Sequence, residues 1–183
     1  MARAAVSPEV RVATVADAEA IARAHVASWH AAYAGLMPDA VLAAFTVEVR
    51  TARWRDILAR DAPEDRTWVA PAEAPLAFAS TGPCRDDDAG AMAQPPAELY
   101  ALYAHPSAWG LGAGKALFEA AARDLRARGL AVLTAWVLDG NARARRFYEI
   151  AGMRLDGARK IEVAEGAPLP HVRYALPLAP PAR

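Results

Sequence analysis

The sequence of 183 residues predicts a mixed α/β fold, in which a sheet of six to seven strands is built around a central β-α-β unit. Two observations lead to this prediction. Segments with strand character and segments with helical periodicity follow each other in the order strand, helices, two strands, strand, helix, strand, helix, two strands. In the middle of this order one amphipathic helix connects two apolar strands, as in two parallel strands joined by a crossover helix.

Each element follows from a local pattern of side chains. The expected strands are alternating, β-branched or continuously apolar segments, and they cover residues 10–15, 66–70, 75–81, 98–104, 130–138, 153–163 and 171–178. The expected helices carry apolar residues at helical spacing, and they cover residues 18–34, 41–45, 47–58, 116–128 and 141–151. Asp17 is placed to cap the first helix, and Gly35 marks its end. The polar segment 82–96 is expected to be a mobile loop, so that residues 1–183 form a single domain.

An aromatic face is predicted on the first helix. His25, Trp29 and Tyr33 are four residues apart, so their side chains lie on the same side of the helix. Two interpretations remain open. The three rings form a stripe in the hydrophobic core, which we favour for Trp29, or they line a substrate-binding pocket, for which all three are candidates.

Composition and charge exclude several classes of function. The formal net charge is zero, so the chain lacks the positive charge expected of a nucleic-acid-binding protein. No apolar segment reaches the roughly 20 residues needed to span a membrane, and the N-terminus lacks the apolar core of a signal peptide. Cys84 is the only cysteine, which excludes an internal disulfide and favours a reducing, cytoplasmic location. The four histidines are not at metal-ligand spacing, so we expect no metal site.

A glycine-rich turn after the fourth strand carries the functional prediction. Residues Trp109–Lys115 read WGLGAGK and stand between a strand that ends at Ala104 and a helix. The first amides of a helix have no intrahelical partner and carry the positive end of the helix dipole, so they attract anions. Gly110, Gly112 and Gly114 lack side chains, which lets a bulky anion reach the backbone. The sequence therefore predicts a cradle for a pyrophosphate group.

Two common phosphate-binding motifs fit this turn poorly. A Walker A loop needs a glycine at the position of Trp109 and a serine or threonine at the position of Ala116. A dinucleotide fingerprint is matched by the first two glycines of the turn, but Lys115 replaces its third glycine. Asp139 stands where an acid could bind a ribose. A nucleotide-binding oxidoreductase therefore stays an alternative, although the chain has too few β-α units for two mononucleotide-binding halves.

Two motifs resemble the signatures of the GNAT N-acetyltransferase superfamily. The first signature, Gln/Arg-x-x-Gly-x-Gly/Ala, aligns with Trp109–Gly114, where Trp109 replaces the leading Gln or Arg. The second signature, N-x-x-A-x-x-F-Y-x-x-x-G-F, aligns with Asn141–Met153 and follows about one strand later. The resemblance covers nearly the whole chain. It implies a mixed, mostly antiparallel sheet with a central β-α-β unit and helices on both faces.

The resemblance also implies that the chain binds acetyl-CoA and transfers the acetyl group to an amine. The pantetheine arm is expected to pair with the backbone of the strand before the glycine turn. A backbone amide near Leu102 or Tyr103 is expected to stabilise the oxyanion that develops in acyl transfer. The expected cofactor-binding residues are Leu102, Tyr103, Ala104, Trp109, Gly110, Leu111, Gly112, Ala113, Gly114, Lys115 and Asn141.

Two side chains are candidates for catalysis. An ammonium acceptor must lose a proton before it attacks, and Glu98 stands at the head of the strand where relatives often carry a glutamate base. Strand alternation predicts that Glu98, Tyr100 and Leu102 share one face unless a β-bulge intervenes. Tyr148, in the second motif, is the candidate acid that protonates the departing thiolate. The alternatives are an exposed glutamate at the start of a strand and a tyrosine in the core.

The sequence thus predicts a cytoplasmic N-acetyltransferase that acts on a primary amine of an unidentified small molecule or peptide. One alternative is a GNAT-like module that binds CoA without efficient turnover, and the other is the oxidoreductase. Neither nucleic acid nor a membrane is expected as a partner. Relatives are often dimers, so the resemblance allows a homodimer.

Overall fold

The computed structural model describes residues 8–86 and 96–178, which form seven strands and five helices. The strands are β1 (Arg11–Val12), β2 (Arg66–Ala70), β3 (Ala77–Pro83), β4 (Ala97–Ala104), β5 (Val132–Leu138), β6 (Arg154–Ala164) and β7 (Ala167–Pro177). The helices are α1 (Ala18–Tyr33), α2 (Asp39–Ala43), α3 (Val47–Leu58), α4 (Ala113–Ala127) and α5 (Ala142–Ile150). Short 3₁₀ turns precede α1 and follow β4.

The seven strands form one sheet in the order β1-β2-β3-β4-β5-β7-β6. Every neighbouring pair is antiparallel except β4 and β5, which run parallel and are joined through α4. The mixed, mostly antiparallel sheet with a central β-α-β unit is therefore confirmed. The single parallel pair also removes the support for two mononucleotide-binding halves.

Helices cover both faces of the sheet, as predicted. Successive residues of a strand point to opposite faces, and in β3 Ala79 contacts the α4 side whereas Phe78 contacts the α1 and α3 side. On the first face Leu117 of α4 packs against strand residues such as Leu133. On the second face Ile21 of α1 packs against Phe78. These side chains are fully buried, and each such burial contributes about 1.5–3 kcal/mol.

The junction between β1 and α1 differs from the prediction. The strand expected over residues 10–15 is reduced to Arg11 and Val12, and one further backbone hydrogen bond joins the Ala13 N–H to the Thr67 carbonyl of β2 at 2.8 Å. Asp17 does not cap α1 with its side chain. Its carboxylate instead accepts a hydrogen bond from the Thr14 N–H at 2.8 Å and pairs with Arg11 at 2.7 Å. The carboxylate therefore stabilises the turn between β1 and α1. The hydrogen bonds from Arg11 lower the pKa of Asp17 to about 2.

The polar segment 82–96 is only partly available for comparison with its prediction. Strand β3 extends into it as far as Pro83. Residues 87–95, with the acidic run's last two aspartates, lie outside the described residues. Within the two described ranges, no helix combines the length and the apolar character that crossing a membrane requires.

Candidate active site

The two parallel strands separate after a short stretch of pairing. In the described structure β4 and β5 pair only at Ala97 with Leu133 and at Glu98 with Thr134, although β4 continues to Ala104 and β5 to Leu138. The remaining backbone edges of the two strands face a gap rather than each other. We refer to this opening as the β4–β5 gap.

A cavity of about 580 Å³ lies at the β4–β5 gap and is lined by residues from both faces of the sheet. Its size lies within the range of small-molecule and cofactor pockets. On the α4 side it is lined by Ala108, Trp109, Gly110, Gly112, Gly114, Lys115, Arg143, Ala144, Phe147, Tyr148 and Ile150. The other lining residues are Ser28, Ala32, Tyr33, Leu99, Tyr100, Ala101, Leu102, Tyr103, Ala104, Trp136, Val137 and Asn141.

The glycine turn brings an uncapped helix end to this cavity. Gly112 is the N-cap residue of α4, with a left-handed φ of 88°, and no side chain caps the helix there. Gly110 has a φ of 77° and is left-handed as well. Ala116 donates the first hydrogen bond back to the Gly112 carbonyl, so the amides of residues 113–115 have no backbone acceptor among the described residues. This helix end can therefore bind an anion through backbone N–H groups.

Gly114 serves packing as well as access to the backbone. A Cβ atom at this position would lie 3.4 Å from Cε2 of Phe147, which is tight for a side-chain contact. The missing side chain lets α4 approach α5 closely. The two helices that carry the two motifs therefore border the same end of the cavity.

The free edge of β4 presents backbone groups to the gap. The His105 N–H donates to the Leu76 carbonyl at 2.7 Å, on the β3 side. Backbone groups alternate between the two edges of a strand, so those of Tyr103 also point to β3. The N–H and C=O groups of Leu102 and Ala104 consequently point into the β4–β5 gap, where an extended amide-containing chain can pair with them.

Two further residues of the motifs have structural contacts at the cavity. The Trp109 indole N–H donates to the Ala104 carbonyl at 2.7 Å, which fixes the ring beside the glycine turn. Asn141 caps α5, because its Oδ1 accepts a hydrogen bond from the Ala144 N–H at 3.0 Å. Asn141 is buried and lines the cavity. Its side chain also interacts with the Tyr33 hydroxyl across the cavity.

Tyr148 lines the cavity and also belongs to the hydrophobic core on the α4 side of the sheet. Its ring contacts those of Phe118, Phe147 and Tyr174, and burial raises the pKa of its hydroxyl above the ordinary value for tyrosine. The hydroxyl is therefore protonated throughout the neutral range and can act as a proton donor. Both roles considered for Tyr148, core ring and cavity donor, are compatible with this position.

The aromatic face of α1 divides between the core and the cavity. Tyr33 lines the cavity, and its hydroxyl lies 3.3 Å from that of Tyr103. His25 and Trp29 are outside the cavity lining. Trp29 stacks on Phe45, with 4.2 Å between the ring centroids. The substrate-binding role of these residues stays a prediction, and the geometry favours it for Tyr33 alone.

His25 is a neutral core side chain. Its Nδ1 accepts a hydrogen bond from the Trp54 indole N–H at 3.2 Å, and five aromatic rings surround it. Burial lowers its pKa to about 3. Because the protonated form is excluded from the folded state, acid favours the unfolded state, in which an exposed histidine accepts a proton.

We therefore expect His25 to make the stability pH-dependent. The contribution of neutral His25 to the free energy of unfolding is complete above about pH 6.5, which is the pKa of a histidine in the unfolded chain. It is lost progressively as the pH falls toward 3, the pKa in the folded state. Between pH 7 and 5 the loss should be about 2 kcal/mol of the free energy of unfolding. Urea titrations of the wild type and of His25→Gln measure it. The variant should be less stable but lack this part of the pH dependence, and equal slopes in the two proteins would refute the assignment.

Glu98 and Leu102 lie on opposite faces of β4, because a β-bulge interrupts the alternation between them. Between β3 and β4, Thr81 pairs with Leu99 and Ser80 pairs with Ala101. Tyr100 is therefore an extra residue in β4 and forms a β-bulge. After the bulge the alternation is reversed, and Leu102 packs on the α4 side whereas Glu98 points to the opposite side. Glu98 does not line the cavity.

The Glu98 carboxylate is held by Arg85. It accepts hydrogen bonds from the Arg85 backbone N–H and Nε at 3.1 Å each, and from Nη2 at 2.5 Å. The Glu98 side chain is only 4% exposed. The guanidinium of Arg85 in turn covers the ring of Tyr100, 4.1 Å from its centroid. This arrangement anchors the wall of the cavity rather than presenting a base to it.

Several lining residues were not singled out from the sequence. Ser28, Tyr100, Trp136 and Arg143 all border the cavity. Arg143 is within the second motif, two residues after Asn141, so the motif indicated this part of the chain but not the arginine itself. The other three carry no local signal. In the part of the chain that the structure describes, no group of three or more His, Cys, Asp or Glu side chains could hold a metal ion.

The sequence and the fold both match known acetyltransferases. Residues 27–153 match the acetyltransferase (GNAT) family. The chain is 29% identical over 160 residues to N-acetyltransferase YuaI of Bacillus subtilis (strain 168), a protein described as uncharacterized. This similarity covers 80% of the present chain and 87% of the relative.

Solved structures show the same fold. A GCN5-related N-acetyltransferase from Rhodopseudomonas palustris is similar with a TM-score of 0.72 and 22% identity, over 97% of this chain and 99% of that one. The structure of yncA from Salmonella typhimurium, which contains its cofactor acetyl-CoA, is similar with a TM-score of 0.67 and 23% identity. That match covers 97% of this chain and 98% of the other.

Proposed function

The chain belongs to the acetyltransferase (GNAT) family, and from this premise we propose that it transfers the acetyl group of acetyl-CoA to a primary amine of a small molecule or peptide. One observation carries the proposal. The same cavity at the β4–β5 gap is lined by an uncapped helix N-terminus, a free strand edge and Tyr148. These are the three features that binding and cleaving a CoA thioester require.

The residues on the α4 side fit the CoA part of the substrate. The amides of residues 113–115 suit the pyrophosphate, since they have no other acceptor among the residues described. The Leu102 and Ala104 backbone groups suit the amides of the pantetheine arm. Placed in the same gap, the Leu102 N–H is a donor for the carbonyl oxygen of the acetyl group, on which negative charge develops.

The acceptor amine approaches from the α1 side in this proposal. There the cavity is lined by side chains such as Ser28, Tyr33, Tyr100 and Trp136. None of the described lining residues carries a carboxylate or an imidazole. We therefore assign loss of the amine proton to water rather than to direct contact with Glu98. Tyr148 keeps the role of the acid that protonates the departing thiolate.

Glu98→Gln tests this division of roles. The change removes the charge and keeps the side-chain volume and an acceptor for Arg85. We expect kcat/KM for the amine to fall by less than about tenfold, because a positioned base ordinarily contributes about 10²–10⁴-fold. Steady-state rates over a range of pH provide the measurement. A decrease of about 100-fold, together with loss of the acidic limb of the pH profile, would instead make Glu98 the base.

Titration calorimetry separates the proposal from its alternatives. Acetyl-CoA should bind, and neither NAD nor NADP should bind to the same preparation. Binding of the dinucleotides in place of acetyl-CoA would support the oxidoreductase. A module that binds CoA without turnover would bind acetyl-CoA and fail to acetylate any amine in a broad panel.

A further inference from the structure

Trp109 and Arg143 form a stacked pair at the α4 end of the cavity. Trp109 follows β4, and Arg143 is in the first turn of α5, so the two side chains come from the opposite walls of the β4–β5 gap. The guanidinium carbon of Arg143 lies 3.6 Å from the centroid of the indole ring. Both side chains line the cavity, beside the glycine turn. The pair therefore bridges the gap where the glycine turn and α5 meet.

The stack occupies one face of the guanidinium and leaves its edge open. Hydrogen bonding to a guanidinium occurs in its plane, through five N–H groups. None of the residues described accepts a hydrogen bond from Arg143 or forms an ion pair with it. Arg145, two residues later, is by contrast bound to Asp139 and to the Tyr174 hydroxyl. Arg143 thus presents an unused planar donor edge at the cavity.

The indole is itself held in place. Its N–H donates a hydrogen bond to the carbonyl of Ala104, the last residue of β4, at 2.7 Å. A ring fixed to the strand defines the plane of the guanidinium stacked on it. Stacking of this kind lets an arginine keep its charge and donors while its orientation is restrained. Little conformational freedom then remains to be lost when a ligand binds.

We propose that Arg143 binds the pyrophosphate of CoA through its open N–H edge, opposite the amides of the α4 N-terminus, and that Trp109 positions it. This inference rests on the proposed function and names a residue beyond the glycine turn. Arg143 brings a cation from α5 to the end of the cavity where the glycine turn lies, and the Trp109 ring supports it. A guanidinium fork matches two phosphate oxygens at once, which a backbone amide cannot do.

The substitution Arg143→Gln tests the assignment, with Arg146→Gln as the matched control. Arg146 is on the same helix, is exposed, and does not line the cavity. Dissociation constants are measured by calorimetry for acetyl-CoA, 3′-dephospho-acetyl-CoA and S-acetylpantetheine. Arg143→Gln should weaken acetyl-CoA binding by about 10- to 100-fold, the usual effect of losing a hydrogen bond between charged groups. Arg146→Gln should change it by less than about twofold.

The truncated ligands identify the phosphate. For 3′-dephospho-acetyl-CoA, which keeps the pyrophosphate, Arg143→Gln should cause the same loss. For S-acetylpantetheine, which has no phosphate, it should cause none. If the effect disappears with the dephospho ligand, Arg143 binds the 3′-phosphate and the assignment is overturned. If it persists with S-acetylpantetheine, the residue acts through the shape of the cavity and the assignment is overturned as well.

Trp109→Phe tests the positioning role separately. The variant keeps an aromatic face but loses the hydrogen bond to Ala104. It should weaken acetyl-CoA binding in the wild-type background and have no further effect in the Arg143→Gln background, because it acts through Arg143. Additive effects would contradict positioning. Arg143→Lys, which keeps the charge without the fork, should bind with intermediate affinity. If the wild type does not bind acetyl-CoA, the proposed function fails, whereas equal binding by wild type and Arg143→Gln removes only this inference.

Discussion

Replacing Tyr148 by phenylalanine should lower kcat by about 100-fold or more while the KM for acetyl-CoA changes little. The change removes one hydroxyl and keeps the ring that contacts Phe118, Phe147 and Tyr174. A proton delivered to the departing thiolate stabilises the transition state and not the bound substrate, so the loss appears in kcat. The measurement is a steady-state titration of acetyl-CoA at saturating amine, with circular dichroism to establish that the variant is folded.

The raised pKa of Tyr148 adds a pH criterion. Burial favours the neutral hydroxyl, so the proton donor is not lost as the pH rises toward 10, and kcat should show no alkaline decrease from Tyr148 in that range. Tyr174→Phe is the matched control, because its hydroxyl bonds Glu149 and it does not line the cavity. A kcat for Tyr148→Phe within about twofold of the wild type, with chemistry rate-limiting, would show that the thiolate leaves without this acid.

Replacing Gly112 by aspartate should weaken acetyl-CoA binding by about 100-fold or more. The new carboxylate stands at the N-terminus of α4 and repels the pyrophosphate. It also accepts hydrogen bonds from the backbone amides that would otherwise bind the pyrophosphate. Each hydrogen bond to a charged group contributes about 1.5–3 kcal/mol, so losing one or two of them accounts for the effect. Calorimetric titration of the folded variant measures the loss.

Gly129→Asp provides the control for this experiment. Gly129 also has a left-handed φ, 80°, and its Cβ position is open, so the backbone strain and the added charge are the same. It follows the opposite end of α4, a helix of 15 residues that is about 22 Å long. Both variants carry the same backbone strain, and Gly129→Asp should be the less stable of the two because its carboxylate stands at the negative end of the helix dipole. Only Gly112→Asp should lose affinity for acetyl-CoA. If Gly112→Asp binds acetyl-CoA as well as Gly129→Asp does, the pyrophosphate is not at this turn.

The sequence was most informative where a structure depends on neighbouring residues. Helix α4 and the glycine turn before it follow from the spacing of Gly110 and Gly112 and from the apolar periodicity after them. The start of α5 was predicted for the same reason, and the structure adds that Asn141 caps it. The order of such segments was sufficient to predict the sheet with its single β-α-β unit. The two signature motifs then indicated the family, which the match over residues 27–153 shows.

The features that the sequence did not predict depend on packing between residues that are distant in the chain. The bulge at Tyr100 reverses the face of Glu98, and nothing in ELYALYA marks it because no glycine or proline is present. The spacing of His25 and Tyr33 places both on one face of α1, but Trp54 from α3 encloses the histidine, whereas the cavity reaches the tyrosine. The pairing of β4 with β5 likewise ends at Glu98, just before the bulge, so the gap depends on the register of the strands and not on a local sequence signal.

The central claim is that the β4–β5 gap binds acetyl-CoA and that the chain transfers its acetyl group to a primary amine. The most direct measurement is the release of free CoA thiol with a panel of amines, amino acids, polyamines and peptide N-termini, followed by mass analysis of each amine. We predict amine-dependent thiol release matched one-to-one by a singly acetylated amine, and loss of both in Gly112→Asp at subsaturating acetyl-CoA. Thiol release that is independent of the amine, or binding of acetyl-CoA with no acetylated product across the panel, would contradict the claim.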